Sequence, residues 1–188
     1  MKRKCVLGVL KTEEGLRIKE EMLGWLNEKY DVTLVEVDPP NELYEFPFIK
    51  KAAELAITSN EPVLYIQTKG AAMQNNAQPM VREFWKYEFT ENIDKYFDMP
   101  EKATVIAPYT LHKKVAWFNA FTINPEAAKC LIAYLKPQQD RYWFEQKIWN
   151  ETDAIDVIGI HDSIVEWEDP WQAFLQLFSL MLINKRNM

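Results

Sequence analysis

Three short apolar runs separated by helical periodicities constrain this chain more than any other feature of it. Cys5 to Leu10 is a continuous apolar run, the pattern of a strand covered on both faces. Thr12 then offers a capping side chain, and Glu13 and Glu14 an acidic first turn, so a helix follows, with Leu16, Leu23, Leu26 and Tyr30 recurring at its spacing. Asp31 breaks that pattern. Val32, Leu34, Val35 and Val37 form a second, largely β-branched strand, which Asp38, Pro39 and Pro40 end. Phe48, Ile49, Ala52, Leu55 and Ala56 mark a second helix leading to a third strand over Val63 to Gln67. A βαβαβ opening of this kind predicts an α/β fold: a mostly parallel open sheet with right-handed crossovers, helices on both faces, and ligand binding at the carboxyl ends of the strands.

Beyond the third strand the regularity weakens. Gly70 to Gln78 is a polar stretch that reads as a surface loop able to move over a site. Met80, Phe84, Phe89, Ile93 and Tyr96 predict one long helix from about Pro79 to Phe97. Ala103 to Ala107 reads as a strand and Val115 to Ile123 as a more aromatic one containing Trp117, Phe118 and Phe121. Asn124 followed by Pro125 and Glu126 is the clearest cap in the chain, opening a helix to about Leu135. A helix over Asp140 to Trp149, a strand over Ala154 to Ile160 and a terminal helix from near Pro170 complete the pattern. With 188 residues, 48% of them hydrophobic, the chain can bury roughly 70% of its unfolded surface around one core, and a single domain over residues 1–188 is expected.

Charge and cysteine content exclude several classes. A net charge of −6 provides no positive field to draw the chain onto nucleic acid phosphates. Cys5 and Cys130 have neither metal-ligand spacing nor a disulfide framework, which fits a reducing compartment and two small core residues. The Cys5 to Leu10 run is too short for a signal-peptide core, and Phe174 to Ile183 falls well short of the ~20 residues of a membrane span, so a cytoplasmic location is expected.

The strand over Val63 to Ile66 stops at Gln67, Thr68, Lys69 and Gly70. A lysine and a glycine at the carboxyl end of a buried strand stand where open α/β sheets bind ligands, making Lys69 the first site candidate; its competing reading is an exposed lysine beside a turn glycine. His161 and Asp162 follow the late strand and stand at the same edge, where the local reading is a turn or a cap. The chain holds no glycine-rich dinucleotide fingerprint, phosphate-binding P-loop or G-x-S-x-G elbow, and its five glycines and two histidines leave little from which to build one.

Taken together, Tyr65-Ile66-Gln67-Thr68-Lys69-Gly70, the tryptophan-bearing helix around Arg82 to Trp85, Trp117-Phe118-Asn119-Ala120-Phe121 and Arg141-Tyr142-Trp143-Phe144-Glu145 resemble small bacterial glycosyltransferases, which are similar to the GT-A nucleotide-diphospho-sugar transferase fold. The resemblance covers about residues 5 to 160 in element order, with T-K-G and R-x-x-x-E its specific segments. It implies a nucleotide sugar over the carboxyl edge of the sheet and transfer of its sugar to an acceptor hydroxyl. Thr68, Lys69 and Gly70 would bind the nucleotide sugar, with Lys69 offsetting charge on the leaving diphosphate. Glu145 would be the catalytic base, and Trp117, Asn119 and Arg141 would line the acceptor pocket. The competing reading of Arg141 and Glu145 is a helical ion pair worth ~0.3–0.5 kcal/mol, and that of Trp117 is core packing.

This chain departs from that family in two places. The segment from Trp117 to Phe121 lacks the glycine and most of the tryptophans of the family's F-S-G-N-F-W-W pattern. Metal-dependent members of the fold hold Mn²⁺ or Mg²⁺ with an Asp-x-Asp pair, and some add a late histidine, whose counterpart here is His161; no Asp-x-Asp occurs here, so no metal ligand is assigned. These departures sustain a second reading, a GT-A-like domain without catalysis that serves as a binding or interaction module. A flavodoxin-like or receiver-like domain accounts for the opening but not for the aromatic middle, and Gln67 stands where a receiver needs aspartate.

Overall fold

The strands are placed by which of their residues have to be hidden from water. In β1 (Arg3–Leu10), Cys5, Leu7 and Val9 join one hydrophobic cluster and Val6 joins another on the opposite face, all with no exposed surface. The computed structural model describes residues 2–40, 43, 45–68, 77–111, 115–116, 119–137, 143–144, 147–162, 174–176, 178–179 and 181–183. After β1 come α1 (Glu13–Lys29), β2 (Tyr30–Val37), α2 (Phe46–Ser59), β3 (Val63–Gln67), α3 (Gln78–Glu91) and α4 (Ile93–Phe97). The second half holds β4 (Thr104–Leu111), β5 (Val115–Ala116), β6 (Phe121–Ile123), α5 (Pro125–Tyr134), α6 (Lys147–Glu151) and β7 (Asp156–Asp162).

These strands form one sheet in the order β2-β1-β3-β6-β4-β5, with β7 also paired to β4. β1 is parallel to β2, with Cys5 opposite Val32, and parallel to β3, with Cys5 opposite Leu64. β6 is antiparallel to both β3 and β4, while β4 and β7 are parallel. Five strands, β1, β2, β3, β4 and β7, therefore share one direction and end at one edge of the sheet. One face carries α1, α3 and α4 through Ile18, Met22, Trp25, Phe84, Trp85 and Phe89, joined by Phe174 and Met181. The other carries α2, α5 and α6 through Phe48, Ile49, Ala128, Leu131 and Trp149. Each such side chain, fully buried, contributes about 1.5–3 kcal/mol, which makes the α/β sandwich the dominant stabilising feature.

The first half matches its sequence pattern closely. Thr12 caps α1, its hydroxyl accepting from the Gly15 N–H at 2.9 Å, and Asn124 caps α5, its Oδ1 accepting from the Ala127 N–H at 2.8 Å. Gly15 is required at the β1–α1 turn, because a Cβ there would run into the Leu10 carbonyl oxygen. Three helical expectations need correction. The buried face of α1 is Gly15, Ile18, Met22, Trp25 and Leu26, whereas Leu16 is 39% exposed and Tyr30 belongs to β2. The long helix over Pro79 to Phe97 is two helices, α3 and α4, broken at Asn92. Within the helix expected over Asp140 to Trp149, Trp143 and Phe144 lie outside any α-helix as buried, edge-to-face packed rings 5.0 Å apart, and α6 runs over Lys147–Glu151.

Two strands also differ. The aromatic strand over Val115 to Ile123 is split into β5 and β6, and Asn119 between them has φ 57°, a left-handed conformation that no continuous strand holds. The last strand runs from Asp156 to Asp162, so His161 and Asp162 lie inside its carboxyl end rather than after it.

Candidate functional site

The shared edge at which Leu10, Val37, Gln67, Leu111 and Asp162 end their strands is where an open α/β sheet presents its loops. β1 lies between β2 and β3, so the chain leaves it to one side and returns to the other, and the strand order reverses there. Such a reversal opens a crevice over the strand ends.

Thr68 sits at that reversal. Its N–H donates to the Gly8 carbonyl at 2.9 Å, and its hydroxyl accepts from the Leu10 N–H at 3.4 Å, tying the end of β3 to the end of β1. The side chain is 6% exposed. Part of its bonding capacity is therefore spent inside the fold, which makes Thr68 a former of the crevice floor. Lys11, immediately after β1, pairs with Asp38, immediately after β2, at 2.7 Å. The hydrogen bond that Lys11 donates to Asp38, and then the carboxylate's charge, raise the lysine's pKa above the ordinary value, so the edge carries a cationic side chain beside a carboxylate. Beside the end of β3, Gln67 Nε2 lies 3.5 Å from Oε1 of Glu45, a carboxylate only 7% exposed at the start of α2.

Asn119 is the most unusual residue of this edge. Tyr65 of β3 pairs with Phe121, the first residue of β6; two residues further toward the edge stand Gln67, the last residue of β3, and Asn119, which precedes β6. Asn119 has no exposed surface, and neither Oδ1 nor Nδ2 makes a hydrogen bond among the described residues. Leaving such a group unpaired costs about 1–3 kcal/mol, to which the left-handed backbone adds. Asparagine tolerates that backbone better than other non-glycine residues, so the residue type agrees with the turn.

Of the residues expected to form the site, Thr68 and Asn119 are thus brought to one edge on neighbouring strands. Lys69, Gly70, Trp117, Arg141 and Glu145 lie outside the described residues, as do residues 70–76 of the loop expected over Gly70 to Gln78, whose last residue instead opens α3. In the segment expected to resemble the family's tryptophan-bearing helix, Trp85 is core at 1% exposure, and Arg82, at 5%, places its Nε 3.1 Å from Glu21 Oε1. Sequence reasoning missed Lys11, Glu45 and Glu88. Lys11 had a local signal, since it follows a buried strand directly, as Lys69 does; Glu45 and Glu88 had none, because only the fold buries them.

A cleft of about 480 Å³ opens at the opposite, amino edge, lined by Lys2, Lys4, Asn27, Tyr30, Asp31, Val32 and Glu61. It shares no residue with the carboxyl edge, and the strand-end geometry there outweighs its size. Among the described residues no group of three or more His, Cys, Asp or Glu side chains converges as metal ligands, and no helix is long and apolar enough to cross a membrane. No protein-family profile matches the chain, and no curated protein matches it in sequence.

Proposed function

We propose that this chain binds a nucleotide-diphospho-sugar across the carboxyl edge of its sheet and transfers the sugar to an acceptor hydroxyl. The observation that carries the reading is the buried, unbonded amide of Asn119 beside the end of β3. An amide offers two donors and acceptor lone pairs, a match for the paired hydroxyls of a sugar ring. The reversal of strand order at β1 supports a nucleotide at the neighbouring crevice, over Thr68 and the adjoining Lys69 and Gly70. Lys69 offsets the charge that builds on the departing diphosphate, aided by Lys11. Trp117 and Arg141 complete the acceptor side, and Glu145 is the residue to which the family resemblance gives the role of base.

A second reading, a GT-A-like module that binds without turnover, is favoured by the bonding of Thr68 within the fold and by the missing Asp-x-Asp. Thermal-shift titration with UDP, GDP, CMP and dTDP, with and without Mn²⁺, tests binding, with Lys69→Ala as control. A shift for one nucleotide that Lys69→Ala removes supports a donor site; nucleotide-sugar turnover then separates enzyme from module. No shift with any nucleotide would count against the donor site and favour the non-catalytic interaction module.

A further inference from the structure

A second polar group is built into the face of the sheet that α1, α3 and α4 cover, among the aromatic rings there. Glu88 of α3 is only 1% exposed. Tyr96 of α4 donates its hydroxyl to Oε2 at 2.6 Å, and Asn92 Nδ2 lies 3.4 Å from Oε1. The remaining partner comes from across the sheet: His161 Nε2 stands 3.0 Å from Oε1. That contact is of hydrogen-bond length but bent out of line, a geometry that catalytic hydrogen bonds commonly have until a substrate tightens them. Phe84 holds the imidazole from the side, ring centroids 5.9 Å apart.

Chemistry fixes what the imidazole can do. A carboxylate taken out of water to this extent calls for donors, and the ring atom of His161 that stands beside it is Nε2, which makes no aligned hydrogen bond among the described residues. With the hydrogen on Nε2, Nδ1 of the imidazole is a lone-pair acceptor. Unlike Glu88, the imidazole keeps 29% of its side-chain surface open, and it belongs to the last turn of pairing in β7, opposite Tyr109 of β4, at the edge that also holds Thr68 and Asn119. A histidine serving only to clamp β7 onto α3 has no need of an accessible ring. A buried carboxylate that orients an accessible imidazole, and steadies the charge it acquires, is a proton-transfer pair.

We propose that His161, positioned by Glu88, accepts the proton of the acceptor hydroxyl during sugar transfer, the role that the family resemblance gives to Glu145. The acceptor O–H bond breaks with its proton passing to Nδ1. The freed electron pair forms the new C–O bond at the anomeric carbon, and the old C–O bond breaks with its electrons leaving on the diphosphate oxygen. Glu88 touches no substrate; it is a positioning residue. This inference rests on the transferase reading above.

The test uses the full chain, a panel of nucleotide sugars with water as the acceptor, and release of nucleoside diphosphate as the readout. His161→Gln should lower kcat by ~10²-fold or more while KM for the donor changes less than about threefold, as removal of a general base predicts. His161→Ala should recover activity with added imidazole. Glu88→Gln should lower kcat with donor-induced thermal stabilisation retained; should it fail to fold, the His161 variants, whose ring is partly exposed, decide alone. Turnover by His161→Gln at the wild-type rate overturns the inference and leaves the transferase reading intact. Donor binding without turnover in the wild type overturns it and leaves the binding module, whereas neither binding nor turnover overturns both.

Discussion

Glu88 and Asn119 are both sealed from solvent, at 1% and 0% exposure, yet the fold treats them in opposite ways. The carboxylate of Glu88 accepts from the Tyr96 hydroxyl and from Asn92 and has His161 Nε2 3.0 Å away, whereas the amide of Asn119 makes no hydrogen bond among the described residues. A buried polar group that is fully met stabilises and rigidifies, while one left unmet subtracts from stability and persists where a ligand meets it. Glu88 thus belongs first to the architecture, joining α3, α4 and β7. In the proposed reading, the bound sugar supplies the partner of Asn119.

The largest expected effect breaks the partnered side of this contrast. Glu88→Ala opens a cavity and strands the Tyr96 hydroxyl, and should lower unfolding free energy by roughly 2–4 kcal/mol in a urea titration. Asn124→Ala comes next. The Asn124 side chain caps α5, accepts from the Thr104 N–H at 3.1 Å and donates to the carbonyls of Pro100 and Lys102, so its loss should cost about 1–2 kcal/mol by the same measurement.

Alkaline pH probes the Glu88 network more gently. Burial, and then the neighbouring Glu88 charge, raise the Tyr96 phenol well above its ordinary value of 10.0. The unfolded chain ionises first as pH rises, so this contribution is complete below about pH 10 and declines above it. Tyr96→Phe should show a shallower loss of stability above pH 10 than the wild type. The smallest change in stability belongs to Asn119→Gly, which removes an unpaired amide from a left-handed backbone that glycine adopts freely. Its midpoint of thermal unfolding should stay within about 2 °C of the wild type or rise.

The same contrast explains how much could be read from the sequence. β1 and β3 were legible because both faces of each are covered, which turns them into continuous apolar runs; Leu64, Tyr65 and Ile66 have no exposure at all. The caps at Thr12 and Asn124 were legible because a cap is a local hydrogen bond. The break at Asn92 was not, since it follows from Tyr96 turning back to Glu88 within a core that other elements complete. Asn119 carried half a signal: asparagine favours the left-handed region, but the aromatic residues around it read as an unbroken strand. The pairing of Glu88 with His161 had no sequence spacing to reveal it, because α3 and β7 meet only across the finished sheet.

The most direct test is a calorimetric titration of a nucleotide sugar, and of its matching nucleoside diphosphate, into the wild type and Asn119→Gly. If Asn119 meets sugar hydroxyls, the variant should bind the nucleotide sugar about tenfold more weakly, near 1.4 kcal/mol, and bind the bare diphosphate as the wild type does. Equal affinity of both proteins for the nucleotide sugar, or no binding by the wild type, would contradict the account.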